Sequence, residues 1–343
     1  MKILAQGTKR LIADPDPERA REAFRSKTRA LVPKVMTVSQ AVSRFVKSGD
    51  YLVVGAFGAV RIPTAILHEI ARQGITGLKF GGHTATHDCQ ILSAAKAFDA
   101  CDIAYVVGLE ARGLSKESRR YFESGDVELI QWTNAALAWR LKAAAMGIPF
   151  IPARHMLGTD TLVNSAAKII NCPYTDLPLV ALPALYPDLA VIHVHEADIY
   201  GNARIRGILV ADEDLARASK KVIITCERII PNEEIRREPH LTNIPYYCVD
   251  AVVEVPFGSY PGNMPGEYYS DEDHLRLWLE KEKDPKEFSE FFRKYVLDTK
   301  NFDEYLTLCG GIERLRELRS EELFPNGIPT SSGPAPDSNE GGR

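Results

Sequence analysis

The chain has 343 residues, 45% of them hydrophobic and 26% charged, with a formal net charge of -4. That length and apolar content suffice to bury one large core or two closely joined ones. The mildly acidic balance excludes the basic footprint of a nucleic-acid-binding protein, and no apolar run is long enough to span a bilayer. Six cysteines, at Cys89, Cys101, Cys172, Cys226, Cys248 and Cys309, are scattered without a CxxC pair. That spacing predicts free thiols in a reducing, cytoplasmic setting rather than a disulfide framework. The leading run MKILAQGTKRLIADPDPERA is too interrupted in its apolar part for a signal peptide.

Residues 1–34 are read as an N-terminal helical extension, in which Asp14-Pro15-Asp16-Pro17 opens the charged stretch ERAREAFRSKTRA. Thr37-Val38-Ser39-Gln40 is a capping box, with Ala41, Val42, Phe45 and Val46 on one helical face. Gly49 ends that helix. YLVVGAF (51–57) reads as a buried strand, followed by a glycine loop and a helix that carries Pro63 in its first turn and ends at Gly74. LKFGG (78–82) is the next strand, then a helix near 88–98 and a strand IAYVVGL (103–109). A helix from Ser115 ends at Gly125. VELIQW, Asn134 as a cap and ALAWRLKAAAM repeat the strand–helix unit, and PFIPAR opens another. LVALPAL, DLAVIHVHEAD, KVIITCER and VDAVVEVPFG follow as strands, and helices are expected over 271–280, 285–297 and 301–318.

Most of these strands are apolar throughout rather than alternating, which suits strands covered on both faces. The alternation of strand and helix predicts an α/β fold: an open, mainly parallel sheet with helices on both faces, within one domain over 35–322. The Pro-, Ser- and Gly-rich segment 323–343 is read as a disordered tail. Ligands of such sheets bind beyond the carboxyl ends of the strands, so the loops after strands are the places to look for chemistry.

Gly55-Ala56-Phe57-Gly58-Ala59-Val60-Arg61-Ile62-Pro63 joins a strand to a helix, where small residues admit a ligand and a helix N-terminus attracts anions. Its spacing is not a dinucleotide fingerprint, and a plain tight turn explains it equally well. Gly81-Gly82-His83-Thr84-Ala85-Thr86-His87-Asp88 is a second strand–loop–helix junction. Its glycines would expose N–H groups able to hold an oxyanion; the plainer reading is a turn with Asp88 as N-cap. His83 with His87 and His193 with His195 are a weak metal pattern, since nothing in the sequence brings the pairs together. Glu123, in Phe122-Glu123-Ser124-Gly125, looks like a nucleophile segment but reads as the end of an amphipathic helix capped by Gly125. Glu110, at a predicted strand end, is the carboxylate best placed for direct chemistry, with a satisfied surface residue as the simpler reading.

Taken in order, SGDYLVVGAFGAVRIP, LKFGGHTATHD, LKAAAMGIPFIPARHMLGTD, DLAVIHVHEADIYGNARIRG, KVIITCERIIPNEEIRR and VDAVVEVPFGSYPG resemble the A subunits of glutaconate CoA-transferases, within the class I (3-oxoacid) CoA-transferases. The likeness runs from about Val35 to about Gly310 and takes in FDEYLTLCG. Gly55-Ala56-Phe57 stands where the wider class carries Gly-Gly-Phe, and Arg61 with Pro63 fits the glutaconate branch better than the acetoacetate branch. The resemblance implies the fold of the sugar-phosphate-isomerase and CoA-transferase superfamily. It also implies a partner, the B subunit, which supplies the catalytic glutamate, and a coenzyme A thioester as substrate, with no permanent cofactor and no metal. Glutamate attack on the acyl-CoA gives an anhydride and then a glutamyl-CoA thioester. On this reading no catalytic residue lies in this chain, and Gly58, Arg61, Gly81, Gly82, His83, Asn134 and Gly158 line the substrate pocket. Arg61 would pair with a substrate carboxylate. The alternatives are a ring-opening acyl-CoA hydrolase or a decarboxylase on the same fold, or a non-catalytic ligand-binding protein. In the hydrolases an acid acts near the helix start that Asn134 occupies here, and an amide cannot take its proton.

Overall fold

Local chemistry sets the first helix of the main domain. The Gln40 N–H donates to the Thr37 hydroxyl at 3.2 Å, and the Thr37 N–H donates to the Gln40 side chain at 3.0 Å. This reciprocal cap starts the helix Val38–Phe45, and Gly49, at φ 90°, turns the chain into the first central strand. The computed structural model describes residues 2–106 and 112–325. In chain order its strands are β1 (Ile3–Gln6), β2 (Tyr51–Gly55), β3 (Leu78–Gly82), β4 (Phe98–Ile103), β5 (Glu128–Gln131), β6 (Phe150–Ala153), β7 (Lys168–Asn171), β8 (Pro178–Pro183), β9 (Leu189–Ala197), β10 (Ala203–Arg204), β11 (Lys221–Ile229) and β12 (Ala251–Glu254).

Among the described residues, the main sheet runs β12-β11-β9-β2-β3-β4-β5, with every neighbouring pair parallel, and the short β10 lies antiparallel on β9. Its strands point alternate side chains into two cores. Leu52, Val54, Leu189 and Val191 join one; Tyr51, Val53, Ala190 and Ile192 join the other. The continuous apolar runs thus bury both faces, as a parallel sheet requires. Helices cover both. The first core also takes in Trp278, Phe288, Phe291 and Phe292 from the C-terminal helices Glu272–Lys281 and Pro285–Phe292. No helix among the described residues is long and apolar enough to cross a membrane.

Several expectations need correction. PFIPAR and LVALPAL do not extend the parallel sheet. β6 and β8 pair antiparallel in a separate sheet of order β1-β7-β8-β6, where Pro152, Pro178 and Pro183 are tolerated in short strands. The first 34 residues carry the expected helix, Pro17–Arg25, but also a strand, and both are tied to the rest of the fold. β1 pairs with β7, Ala20 of the helix Pro17–Arg25 is 3% exposed, and Phe24 packs 6.2 Å from the Tyr186 ring. The helix expected over 88–98 is His87–Ala94, and the strand that follows begins at Phe98 rather than 103. Residues 107–109 of that predicted strand, and Glu110 after it, lie outside the described residues. Thr133, not Asn134, caps the helix Asn134–Ala145. The expected helix 301–318 is two, Phe302–Leu308 and Gly311–Leu323, broken where Gly310 takes φ 106°. Residues 326–343 of the predicted tail lie outside the described residues, and Leu323 ends a helix.

β4 was hard to read because it buries an acid. Asp102 is 1% exposed. It accepts from the Tyr51 hydroxyl at 2.5 Å, Arg140 Nη1 at 2.8 Å and Trp132 Nε1 at 2.8 Å, and the Arg140 guanidinium lies 4.0 Å from the Trp132 ring centre. Removing the carboxylate strands a buried cation. Asp102→Ala is therefore expected to lower unfolding stability by about 3–5 kcal/mol, read from urea midpoints. A loss below about 1 kcal/mol would show that the cluster contributes little.

Candidate active site

The carboxyl ends of the parallel strands carry the loops of interest, and hydrogen bonds join the first two. The Gly58 N–H donates to Thr84 O at 3.0 Å, and the Thr86 hydroxyl donates to Gly58 O at 2.7 Å. Gly58 sits at φ 62° with open space where a Cβ would be, so it answers a backbone requirement rather than a packing one. Thr84 takes φ 50°, a costly conformation for a β-branched residue, and its buried hydroxyl has no hydrogen-bond partner among the described residues. Strain of this kind is associated with functional loops.

Arg61 does not reach outward. It is 0% exposed. Its Nη1 lies 3.0 Å from Asp212 Oδ1 and its Nη2 2.9 Å from Oδ2, and Nη2 also donates to Ile208 O at 2.8 Å. The expectation that it clamps a substrate carboxylate is corrected by this bidentate internal pair. Gly81 and Gly82 also take a different part. Both lie within β3, where an added Cβ would stand 2.7 Å from Val53 Cγ2 and 2.7 Å from Val106 Cγ1. They serve strand packing rather than a free oxyanion-holding loop.

His83 and Asn134 do come together. The His83 Nε2–H donates to Asn134 O at 3.1 Å, and burial pushes the imidazole down from its usual range. The ring lies 6.4 Å from Phe57, so the two loops and the start of the helix Asn134–Ala145 form one group. The Asn134 Oδ1 is buried without a partner among the described residues. Gly158, at φ 72°, is exposed in a turn before the helix Asp160–Val163 and shares none of that group's hydrogen bonds.

The other histidines serve separate contacts. His193 bonds Thr225 Oγ1 through Nδ1 at 2.8 Å and Glu227 Oε1 through Nε2 at 2.8 Å. Glu227 accepts further from the Tyr268 hydroxyl and the Phe257 N–H, each at 2.7 Å. His195 Nδ1 accepts from the Arg206 N–H at 3.0 Å, so its Nε2–H donates to Pro265 O at 2.8 Å. Burial pushes that ring down to about 4. His87 bonds Gln90 at 2.9 Å. Among the described residues no three His, Cys, Asp or Glu side chains converge to hold a metal ion.

The segment 255–268 was missed by the sequence reading as part of the site. Arg61 N donates to Asn263 O at 2.9 Å, and Asn263 N donates to Ala59 O at 3.0 Å. Gly258 lies so close to His193 that a Cβ would stand 2.7 Å from its Cε1. The signal available was the density of glycine and proline in VPFGSYPGNMPGEY. Glu123 is the exposed last residue of the helix Lys116–Glu123, paired with Arg119 at 2.8 Å, and Gly125 follows at φ 87°, as the sequence predicted.

The family model for Coenzyme A transferase matches residues 35–255. The chain is 35% identical over 297 residues to the A-type subunit of glutaconate CoA-transferase from Acidaminococcus fermentans, covering 81% of this chain and 92% of that one. The crystal structure of glutaconate coenzyme A-transferase from that organism superposes with a TM-score of 0.80 at 34% identity, covering 83% and 95% of the two chains. The A-type subunit of 3-oxoadipate CoA-transferase from Pseudomonas knackmussii is 32% identical over 276 residues, covering 79% and 96%. The cholesterol ring-cleaving hydrolase IpdA subunit of Rhodococcus jostii is 27% identical over 276 residues, covering 77% and 92%.

Asp88 braces the second loop and sets a pH test. It is 3% exposed, and its Oδ1 accepts the Thr86 N–H at 2.6 Å. Burial pushes its carboxyl up to about 6. The unfolded carboxyl loses its proton near its ordinary value of 3.8, so this group's stabilisation falls as pH rises from about 4 to about 6. Asp88→Asn keeps the acceptor and removes the titration. In urea unfolding the variant is expected to match the parent near pH 4 and to exceed it by roughly 3 kcal/mol at pH 7.5. Equal stabilities at both pH values would contradict the assignment.

Proposed function

The chain belongs to the coenzyme A transferase family, and on that premise we propose that it is the A-type chain of a two-chain enzyme moving CoA between an acyl-CoA and a free dicarboxylic acid. The observation that carries the division of labour is that the following acids, at strand ends and at one helix start, are already engaged. Asp212 is held by Arg61, and Glu227 by His193 and Tyr268. Glu196 is held by Arg228, and Asp198 accepts the N–H groups of Tyr200, Gly201 and Asn202. A carboxylate so paired is a poor nucleophile, which supports assigning the attacking glutamate to the partner B chain.

In this reading the partner's glutamate attacks the acyl-CoA carbonyl and CoA thiolate leaves, giving an acyl-glutamyl anhydride. The thiolate then attacks the glutamyl carbonyl and releases the first acid, leaving a glutamyl-CoA thioester. The acceptor carboxylate repeats the two steps in reverse. Each anhydride needs its developing oxyanion stabilised in a site that excludes water. The group formed by Gly58, Thr84, His83 and Asn134 is the wall this chain would contribute. Neutral His83 and the amide of Asn134 can donate or accept hydrogen bonds without taking the partner's charge. An amide at the helix start cannot act as general base, which favours transfer over the hydrolysis named for the Rhodococcus relative. The names of the glutaconate and 3-oxoadipate relatives support a dicarboxylate as the acid.

The test is to purify this chain with the product of a neighbouring reading frame and assay CoA transfer from an acyl-CoA to glutaconate and 3-oxoadipate. Hydroxylamine or borohydride added during turnover is expected to modify a glutamate of the partner and to leave this chain unlabelled. Modification of Glu123 or Glu110 would contradict the reading.

A further inference from the structure

At the carboxyl ends of β9 and β11, guanidinium groups outnumber the carboxylates that hold them. Arg228 spans two acids: its Nη2 lies 2.7 Å from Glu196 Oε1 and its Nη1 2.8 Å from Glu267 Oε1. Arg206 Nη2 donates to Glu196 Oε1 at 2.7 Å, and Arg319 Nη2 donates to Glu267 Oε2 at 3.2 Å. Arg204 Nη1 stands 3.6 Å from Glu196 Oε2. A third acid, Glu322, spends its Oε1 on the Gly266 N–H at 2.6 Å.

The acids are inside and the cations outside. The side chains of Glu196 and Glu267 are 10% and 7% exposed, whereas those of Arg206, Arg228 and Arg319 are 53%, 40% and 51% exposed. Arg206 also places Nη1 3.9 Å from Glu267 Oε1, too long for a hydrogen bond, and Arg319 spends one terminal nitrogen on a carboxylate and leaves Nε and Nη1 without a hydrogen bond among the described residues. Four arginines stand against Glu196, Glu267 and Glu322, so the cluster carries one positive charge more than its acids neutralise. The surplus positive charge faces outward, its rotamers already fixed by the acids beneath, which lowers the ordering cost of binding an anion. The position is also telling. The Arg206 N–H is bonded to His195, whose ring is bonded to Pro265, so the cluster is fixed to the segment 255–268 that clasps the loop of Arg61.

We propose that Arg206, Arg228 and Arg319 form an anion site that takes a phosphate of the CoA nucleotide, an assignment that rests on the acyl-CoA reading above. Planar forks from three separate elements suit an oxyanion with several acceptor oxygens and more than one charge. The half-exposed rim suits the nucleotide end of CoA, which stays clear of the reacting thioester.

The test is calorimetric titration of CoA, 3′-dephospho-CoA and pantetheine into the full chain and into an Arg206→Gln/Arg319→Gln variant. Arg119→Gln, on a helix away from the site, is the control. CoA binding is expected to weaken about 10- to 100-fold in the double variant, with pantetheine binding and the control unchanged. With 3′-dephospho-CoA, the same fold-loss identifies the pyrophosphate as the occupant and a smaller loss identifies the 3′-phosphate. Unchanged CoA affinity in the variant, or an equal loss for pantetheine, overturns the site. Should the double variant unfold, Arg319→Gln alone is read in the same way. Transfer by the two-chain enzyme is assayed separately. Transfer with CoA affinity unaffected by the variant sinks this site alone; absence of transfer with the phosphate-dependent loss intact sinks only the transferase reading.

Discussion

The buried pair of Arg61 and Asp212 is the constraint on which the geometry of the site depends. Arg61 sits in the left-handed region at φ 58°, in the loop after β2, and its guanidinium reaches the carbonyls of His193 and Ile208 as well as the Asp212 carboxylate. Asp212 opens the helix Asp212–Ala218, and Gly55 makes room for it: a Cβ there would stand 3.0 Å from Asp212 Oδ1. One interaction therefore joins β2, β9, the loop after β10 and a helix start. Taking both charges out of water costs much of what their attraction returns. What the pair supplies is a single position for the loop that carries Gly58, and through Gly58 for the strained Thr84. Asn263 secures the same loop from the other side, by two backbone hydrogen bonds to Ala59 and Arg61.

How much of this was legible depended on whether neighbours in sequence decide the structure. The capping box at Thr37 and the stop at Gly125 are local, and both appear as read. The long apolar strands β2, β9 and β11 were legible because burial on both faces leaves little else for such runs to do. β4 was misplaced because Asp102 argues against a buried strand unless Tyr51, Trp132 and Arg140 are known to surround it. The small antiparallel sheet escaped for a similar reason: β1 and β7 are four residues each and draw their stability from each other, across more than 160 positions.

The site divided along the same line. Gly58, His83 and Asn134 lie together because each belongs to a strand-end loop or a helix start, which topology places on one edge of the sheet. Arg61 was the right residue type with the wrong partner. A guanidinium after a strand can face a ligand or an internal acid, and Asp212 lies 151 positions away. Gly81 and Gly82 were read for their N–H groups, yet Val53 and Val106 explain their lack of side chains. What remains for chemistry is a rigid, nearly charge-balanced wall with a few unpartnered acceptors among the described residues, at Thr84 and Asn134. On the proposed reading, such a wall would complement a nucleophile brought by another chain.

That central claim is tested most directly by isotope. On the proposed mechanism, during turnover with an acceptor acid labelled with 18O in its carboxylate, one labelled oxygen passes through the anhydride into the partner's glutamate as CoA moves to the acceptor. Digestion and mass spectrometry of the two-chain enzyme are expected to find 18O in a single glutamate-containing peptide of the partner and none in this chain. Label in a peptide of this chain, or transfer of CoA without 18O entering either chain, would contradict the account.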